Sequence, residues 1–263
     1  MCIVNYSSLI YALDDRIATI TLNKPDRRNA LDDMMIRELT DVFSAVNRNT
    51  TCRVVILTGS ASCFCAGMDI EYLHRFSQLG QEENLEDARN LMKLLQLINS
   101  LRKPVIAMVN GPALGGGCGL ASACDFVFAA KDSAKLGAPE VKLGFLPAVI
   151  LLFLIKRMGE GRAREFVLEG KTLDATSAKE RGLVTEVVED ANLKQHVYDF
   201  ATKLASGTSS SSITLTKDLF SRLGEMNGKE LMEYAANLNA LTRKTEDFKK
   251  GIESFLKKEK LTW

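Results

Sequence analysis

Short strand-like runs alternate with helical patterns through the first half of the chain, and this alternation restricts the fold more than any other feature. β-branched and other apolar residues dominate four runs that predict strands, over residues 17–22, 54–57, 105–109 and 126–129. Between them, apolar residues recur at every third or fourth position over residues 31–46 and 91–101, which predicts helices. Strands that are joined through helices run parallel within one sheet. The sequence therefore predicts an α/β protein with a parallel sheet and crossover helices.

The second half of the chain has a different pattern, in which helices predominate. Helices are predicted from residue 149 onward, including residues 162–168, 193–204 and 231–242. The polar run at residues 206–212 predicts a linker. A chain of 263 residues is expected to form one large domain, or one domain with an appendage. We therefore divide it into an α/β core over residues 1–205 and a helical C-terminal region over 206–263, for which we expect a role in oligomerisation.

The charge balance and the cysteine content argue against several classes of protein. Thirty-four Lys and Arg residues oppose 33 Asp and Glu residues, and a net charge of +1 gives no strong field to attract nucleic acid or an anionic membrane. No apolar run approaches the ~18 residues of a membrane span, and the N-terminal sequence lacks the basic region of a secretory signal. The six cysteines lack C-x-x-C spacing, and the two histidines are too few for a histidine metal cluster. We therefore expect a cytoplasmic protein with reduced thiols, no metal, and no nucleic-acid or membrane partner.

Three segments that each follow a predicted strand contain residues suited to catalysis. In residues 62–69, small side chains and Gly67 permit close approach of the backbone to a ligand, although an ordinary strand-to-helix turn has the same composition. The glycine-rich residues 110–120 open a helix, where unpaired backbone N–H groups can bind an anion or a developing oxyanion. They match neither the dinucleotide fingerprint nor a phosphate loop, so a nucleotide site has little support. In residues 137–144, desolvation would raise the pKa of Glu140 towards the range for proton transfer, unless Glu140 is a solvated surface group.

These segments together resemble the crotonase superfamily, also called the enoyl-CoA hydratase/isomerase family. Matching motifs follow the family's order and spacing across about residues 10–190, at residues 23–25 with 28–31, 64–69, 103–107, 113–118 with 124–125, and 139–144. The resemblance implies a crotonase-like spiral of ββα units with a helical C-terminal part, usually assembled as a homotrimer or as a hexamer of two trimers. It also implies an acyl-CoA thioester substrate and no separate cofactor, because CoA is part of the substrate.

The family's site residues carry over to this sequence where its motifs match. The two backbone N–H groups of the oxyanion hole correspond to Met68 and Gly116, and a catalytic carboxylate corresponds to Glu140. Losing one such donor typically costs about 3–4 kcal/mol of transition-state stabilisation. The segments that hold the adenine and pantetheine parts of CoA correspond to Arg28, Ala30, Ala66, Asp69 and Ile70. Lysines near the C-terminus either meet the CoA phosphates or form a solvated helix face: Lys249, Lys250, Lys257 and Lys258.

One position departs from the family's two-glutamate hydratases, which can hold a water between two carboxylates. The first glutamate position is Gly119 here, while Glu140 occupies the second. One carboxylate with an oxyanion hole suffices to move a proton between two carbons, which predicts an isomerase of 3-enoyl-CoA to 2-enoyl-CoA. Residues 144–150, however, resemble a bacterial branch of methylglutaconyl-CoA and related enoyl-CoA hydratases whose members also tend to lack the first glutamate.

Between these two reactions, the sequence narrowly favours addition of water to a 2-enoyl-CoA, a reaction of fatty acid metabolism, with Glu140 as acid and base. Help in activating water would come from the residues nearest the first oxyanion segment, Glu71, Tyr72 or His74. The isomerase is the alternative within the family. A non-catalytic acyl-CoA-binding or RNA-binding scaffold is the alternative of another class, against which the retained Glu140 and the near-neutral charge argue.

Overall fold

The described part of the chain, residues 2–263 without the side chain of Cys2, folds into ten strands and eleven α-helices in the computed structural model. The strands are β1 (Cys2–Asn5), β2 (Leu9–Asp14), β3 (Ile17–Leu22), β4 (Val54–Gly59), β5 (Val105–Val109), β6 (Ala113–Leu114), β7 (Phe126–Ala130), β8 (Lys135–Gly137), β9 (Thr172–Asp174) and β10 (Glu186–Val188). The helices are α1 (Asp33–Arg48), α2 (Ile70–Phe76), α3 (Gln81–Ser100), α4 (Gly116–Ala123), α5 (Ala148–Met158), α6 (Glu160–Leu168), α7 (Ala175–Glu180), α8 (Leu193–Gly207), α9 (Ser210–Arg222), α10 (Gly228–Thr242) and α11 (Glu246–Lys257).

Seven strands form the main sheet, in the order β1-β2-β3-β4-β5-β7-β10. Strands β3, β4, β5, β7 and β10 pair in parallel, which confirms the predicted parallel arrangement. Strands β1, β2 and β3 pair antiparallel, so the sheet is mixed rather than wholly parallel. The β2–β3 hairpin turns at Asp15 and Arg16, whose φ angles of 38° and 69° are usually adopted by glycine or asparagine. Because the usual hairpin residues are missing, the sequence pattern does not predict β1 or β2.

A second sheet of three short strands, in the order β6-β8-β9, positions two of the segments of interest. Strand β6 leads directly into Gly115 and helix α4, while β8 leads to Pro139 and Glu140. Gly115 N donates to Gly137 O at 2.8 Å, which ties the two exits together. Strands β9 and β10 lie where only helices are predicted, because three residues are too few to show strand alternation.

Helix α1 packs on strand β2 and against α3, while α8 packs on strands β3, β4, β5 and β7. Asp32 caps α1 by accepting a hydrogen bond from Met35 N at 2.9 Å. The buried face of α1 confirms the predicted periodicity and consists of Met35, Ile36, Leu39, Val42, Phe43 and Val46. Helix α3 begins ten residues before its predicted start, because its first turns are polar and exposed and only its later residues, from Leu91, face the core.

The C-terminal helices continue directly from the core. Helix α8 ends at Gly207 and α9 begins at Ser210, so the polar run at 206–212 contains a break of two residues rather than a long linker. Ser209 caps α9 by accepting from Ser212 N, which explains the serine-rich composition. The boundary drawn between residues 205 and 206 falls inside α8, and Asp247 at the start of α11 accepts hydrogen bonds from the Ser209 and Ser211 hydroxyls.

Five cysteine thiols of the described residues are buried and free: Cys52, Cys63, Cys65, Cys118 and Cys124. Within residues 2–263, no helix combines the length and the apolar character that crossing a membrane needs.

Candidate active site

The first segment, residues 65–69, pairs in parallel with the chain just before α1. Leu31 N donates to Gly67 O at 2.7 Å, and Asp69 N donates to Leu31 O at 2.8 Å. Leu31 thus bonds to the residues on either side of Met68, so the amide of Met68 points away from this pairing. Among the described residues, the N–H of Met68 has no hydrogen-bond acceptor.

Two glycines bring the second segment against the first. Gly67 has a φ of +93°, and a Cβ there would lie 2.7 Å from Leu114 O and 3.5 Å from Gly116 N, so only glycine fits. Gly116 is the first residue of α4, where N–H groups lack intrahelical acceptors, and the described chain offers it no other acceptor. A Cβ on Gly116 would lie 3.9 Å from Met68 N. The structure therefore brings the two predicted amides, Met68 and Gly116, next to each other with both N–H groups free.

Glu140 supplies a carboxylate beside these amides. It opens a short 3-10 helix, Glu140–Leu143, directly after Pro139. Its Oε1 lies 3.1 Å from the position that a Cβ on Gly115 would take, so the carboxylate rests against the turn that begins α4. Its Oε2 is buried and has no hydrogen-bond partner within the described residues. Burial raises the pKa of the Glu140 carboxyl, which suits it to exchange protons with a ligand.

The thiol of Cys118 belongs to the same apolar surroundings. Burial, chiefly, and the nearby Glu140 charge raise the pKa of Cys118 to about 12. The thiol therefore stays protonated at neutral pH and is not a nucleophile. Of the Cys118 thiol and the Glu140 carboxylate, the carboxylate is therefore the group suited to accept a proton.

The residues predicted to bind CoA lie along one strip of the same surface. Ala66 N donates to Arg28 O at 3.0 Å, which joins the two segments, and the Arg28 side chain is exposed. Asp69 caps α2 by accepting from the backbone N–H of Tyr72, and Ile70, 63% exposed, begins that helix. Ala30 and Asp69 line a neighbouring cavity of about 520 Å³.

This cavity also contains charged residues that the sequence analysis does not identify. Its lining comprises Lys24, Arg27, Ala30, Asp32, Asp33, Met34, Arg37, Asp69, Glu71, Tyr72 and Arg75. Three of its cations are already in ion pairs, which join Lys24 to Asp32, Arg27 to Glu71, and Arg37 to Asp33. Lys24 and Arg27 could be found from their place inside the motif at residues 23–31. Arg37 and Arg75 look like ordinary solvated helix residues until the fold brings them together.

The three residues considered as helpers of Glu140 line or border this cavity. Glu71 pairs with Arg27 at 2.9 Å, and His74 is exposed. The Tyr72 hydroxyl donates to Asp87 Oδ1 at 2.5 Å. Burial and the Asp87 partner hold the pKa of Tyr72 well above its usual value, so the phenol stays protonated. Glu71 and Tyr72 therefore have partners of their own.

The four C-terminal lysines lie on or at the end of α11. Lys249 pairs with Glu246 at 2.6 Å and Lys257 pairs with Glu253 at 2.5 Å. Lys250 lies 5.7 Å from the centre of the Trp263 ring, and Lys258 ends the helix with a φ of 57°. Three of these lysines thus contact a neighbouring side chain, and the fourth ends the helix. Their role in binding CoA stays a prediction.

An α/β fold that presents two free backbone amides beside a buried carboxylate defines a class of enzymes that stabilise a negatively charged oxygen during proton transfer. Comparison with known proteins identifies the family. Residues 13–263 match the family described as enoyl-CoA hydratase/isomerase. A protein of Thermus thermophilus is 36% identical over 242 residues, which cover 92% of this chain and 95% of that protein.

One further relative is named for the reaction it catalyses, and another has a crystal structure. The crotonyl-CoA hydratase of Syntrophomonas wolfei is 34% identical over 257 residues, which cover 97% of each protein. The crystal structure of an enoyl-CoA hydratase/isomerase from Marinobacter aquaeolei superposes with a TM-score of 0.90 at 30% identity, covering 97% of this chain and 98% of that one. The chain belongs to the enoyl-CoA hydratase/isomerase family, which confirms both the resemblance and the crotonase-like α/β fold.

Proposed function

We propose that the protein is an enoyl-CoA hydratase that adds water to a 2-enoyl-CoA thioester. The observation that supports this most is the buried Glu140 carboxylate, whose Oε2 has no partner in the described chain and which lies beside the free amides of Met68 and Gly116. A carboxylate in such a place is suited to accept a proton from a bound water, and the paired amides are suited to bind a thioester oxygen.

The proposed reaction has two steps that use these three groups. Glu140 takes a proton from water while the water oxygen bonds to C3, and the electrons of the C2–C3 double bond move into an enolate. The N–H groups of Met68 and Gly116 donate to the enolate oxygen. Glu140 then returns its proton to C2, which restores the thioester and the carboxylate. Because Glu140 serves both carbons from one side, the addition is syn.

CoA would lie along the strip formed by Arg28, Ala30, Ala66, Asp69 and Ile70. The adjoining cavity of about 520 Å³ is lined by four basic and four acidic side chains, so the phosphates of that ligand would compete with the acidic partners of Lys24, Arg27 and Arg37. CoA is part of the substrate, so the proposed chemistry uses no separate cofactor. Acyl-CoA metabolism, including that of fatty acids, is the corresponding setting, and the free thiols support a cytoplasmic location.

Isomerisation of 3-enoyl-CoA to 2-enoyl-CoA is the second candidate, and Gly119 is the observation that favours it. In that reaction Glu140 removes a proton from C2 to form a dienolate, whose oxygen would accept hydrogen bonds from the N–H groups of Met68 and Gly116, and then returns the proton to C4. One carboxylate is sufficient for this transfer.

A single set of assays separates the two reactions. The protein, Glu140→Gln and the exposed control Glu86→Gln are incubated with 2-enoyl-CoA and 3-enoyl-CoA thioesters of several chain lengths. Loss of the conjugated thioester absorbance and a mass gain of one water are recorded. We expect water addition, reduced by at least about 100-fold in Glu140→Gln and unchanged in Glu86→Gln.

The other outcomes each overturn the proposal. Double-bond migration without a gain in mass would replace the hydratase with the isomerase. Binding of CoA thioesters without turnover of any of them would indicate a non-catalytic scaffold.

We also propose that the protein assembles as a homotrimer, or as a hexamer of two trimers, through residues 206–263. Exposed apolar side chains on α9, at its C-cap and on α11 support this: Phe220, Leu223, Phe248, Ile252, Phe255 and Leu256. Nucleic-acid and membrane partners are not part of the proposal, in keeping with the net charge of +1.

A further inference from the structure

An arginine near the end of α5 binds the C-terminal end of α4, opposite the end that carries Gly116. The Nε of Arg157 donates to Ser122 O at 2.9 Å, and its Nη2 donates to Cys124 O. Asn99 Nδ2 reaches the carbonyl between them, Ala123 O, at 3.4 Å. One planar guanidinium therefore holds two of the last carbonyls of this helix in a fixed geometry.

Helix α4 needs such partners because all eight of its residues, Gly116–Ala123, are buried. The last carbonyls of a helix have no intrahelical donors, and leaving them unpaired away from water costs free energy. Within the described residues, Arg157 donates to these two carbonyls and forms no ion pair. Burial lowers the pKa of Arg157, but a guanidinium stays protonated in proteins, so a cation faces this end of the helix.

The alignment of the two site amides depends on how α4 is held. Eight helical residues span about 12 Å, so a shift at the Arg157 end tilts the N–H of Gly116 at the other end. The amide of Met68 belongs to a separate segment, which Leu31 holds through two backbone hydrogen bonds. The two amides therefore point at one oxygen only while α4 keeps its angle to that segment.

The charge of Arg157 acts in the same direction as its hydrogen bonds. A helix carries roughly half a positive charge at its N-terminus and half a negative charge at its C-terminus. An oxyanion beside Gly116 is attracted by the near end of α4 and repelled by the far end. The guanidinium neutralises that far end, which favours negative charge on the oxygen.

We propose that Arg157 is a positioning residue of the oxyanion hole, which holds α4 by its C-terminal carbonyls so that the amides of Gly116 and Met68 meet the same oxygen. The inference rests on the proposed function, since that oxygen belongs to the bound thioester. Arg157 acts through α4 and exchanges no proton with the substrate.

The kinetic test compares Arg157→Gln, which removes the charge and the fork, with Arg157→Lys, which keeps only the charge. We expect kcat to fall about 10–100-fold in Arg157→Gln and less in Arg157→Lys, while KM changes less than about threefold. The enolate loses more than the ground-state thioester when its donors are misaligned. Arg53→Gln is the control and should keep the wild-type kcat, because Arg53 donates to Thr208 O at the end of α8.

The carbonyl stretching frequency of a bound saturated acyl-CoA measures the alignment directly. This thioester has no double bond to hydrate, and isotope labelling of its carbonyl carbon isolates the band in the infrared spectrum. Two aligned N–H donors polarise the carbonyl and lower the frequency. We expect the lowest frequency in the wild type and in Arg53→Gln, a shift back towards that of the free thioester in Arg157→Gln, and an intermediate value in Arg157→Lys.

A folded Arg157→Gln protein that keeps the wild-type band would overturn the proposal, whether or not its stability or kcat falls. If Arg157→Gln does not fold, Arg157→Lys decides, and an unchanged kcat and band there would also overturn it. A wild-type protein that neither hydrates nor isomerises any enoyl-CoA would instead overturn the proposed function, while the band would still report whether Arg157 aligns the two amides.

Discussion

Glu140 has an environment that favours proton transfer and disfavours the folded state. Burial raises its pKa above the ordinary value of 4.5, so the folded protein binds this proton more tightly than the unfolded chain does. Stability contributed by the protonated form is therefore present below pH 4.5 and is lost as pH rises through the higher, folded pKa. At pH 7 the protein has a buried carboxylate with one oxygen that lacks a partner in the described chain.

Glu140→Gln is accordingly expected to stabilise the protein at pH 7 while removing its activity. Gln leaves a polar group at the same buried place but removes its charge, and burying a charge costs more than burying a neutral amide. Each kcal/mol gained corresponds to about 2–4 °C in a chain of this length. Thermal unfolding at pH 7 and at pH 4 measures the effect, which should be present at the first pH and nearly absent at the second. Glu86→Gln, at an exposed position, should change neither value. A lower melting temperature for Glu140→Gln at pH 7 would contradict this account.

The same raised pKa sets the acid limb of the reaction. Glu140 must be ionised to accept a proton from water, so kcat/KM should fall tenfold per pH unit below the pKa of the free enzyme. Because burial raises that pKa, the fall should begin above pH 4.5. The measurement is kcat/KM for a 2-enoyl-CoA across about pH 4–9 with the fold monitored by circular dichroism. An acid limb centred at or below 4.5 would show that Glu140 is solvated in the working enzyme.

Helix α9 is fixed to the sheet by a partly buried ion pair between Lys217 and Asp125. Lys217, 8% exposed, donates to Asp125 Oδ2 at 2.5 Å and to Lys103 O at 3.1 Å. The same carboxylate oxygen accepts from Val105 N at 2.7 Å, at the start of β5. Breaking a fully buried pair by removing one partner typically costs about 3–5 kcal/mol, and the 24% exposure of the Asp125 side chain lowers that cost. Lys217→Met is therefore expected to lower the free energy of unfolding by about 1–3 kcal/mol, measured by urea denaturation.

Two comparisons test whether the loss of stability comes from the Asp125 charge that is left without its partner. Asp125→Asn combined with Lys217→Met should regain more than half of the loss, since no charge is then left unpaired. Lys249→Met breaks an exposed pair with Glu246 on α11 and should cost less than about 1 kcal/mol. Equal losses in Lys217→Met and Lys249→Met would mean that the Lys217–Asp125 pair contributes no more to the free energy of unfolding than an exposed pair does.

For the secondary-structure elements, the sequence predicts the strands and helices with a long periodic pattern and misses the short strands and the hairpin. The five parallel strands include four predicted runs, because buried strands and amphipathic helices leave long periodic signals. Strands β9 and β10 are too short for such a signal, and the hairpin at Asp15 and Arg16 lacks turn residues that would announce it.

Some residues of the candidate site can be predicted from sequence motifs, while others are identified only from contacts in the fold. Met68, Gly116 and Glu140 lie in sequence motifs, so their proximity could be anticipated. The packing of Ile150 on Gly119 and the entry of Arg37 and Arg75 into the cavity depend on helices that meet only in the folded chain.

For the whole molecule, the apolar surface of α11 is the feature with the largest consequence. Phe248, Ile252, Phe255 and Leu256 recur at helical spacing, and their exposed fractions are 38%, 46%, 80% and 75%. A single chain would leave this stripe in water, while burying it between copies would stabilise an assembly at roughly 25 cal/mol for each Å² of apolar area.

Replacing Phe255 and Leu256 by glutamate would place charges in that contact, where desolvation opposes association. We expect Phe255→Glu with Leu256→Glu to shift the protein from a trimer or hexamer to a monomer of 29.0 kDa, measured by light scattering after size-exclusion chromatography. Lys244→Glu, exposed just before α11, is the control and should keep the wild-type mass. An unchanged mass in the double variant, or a monomeric wild-type protein, would exclude this face as the site of assembly.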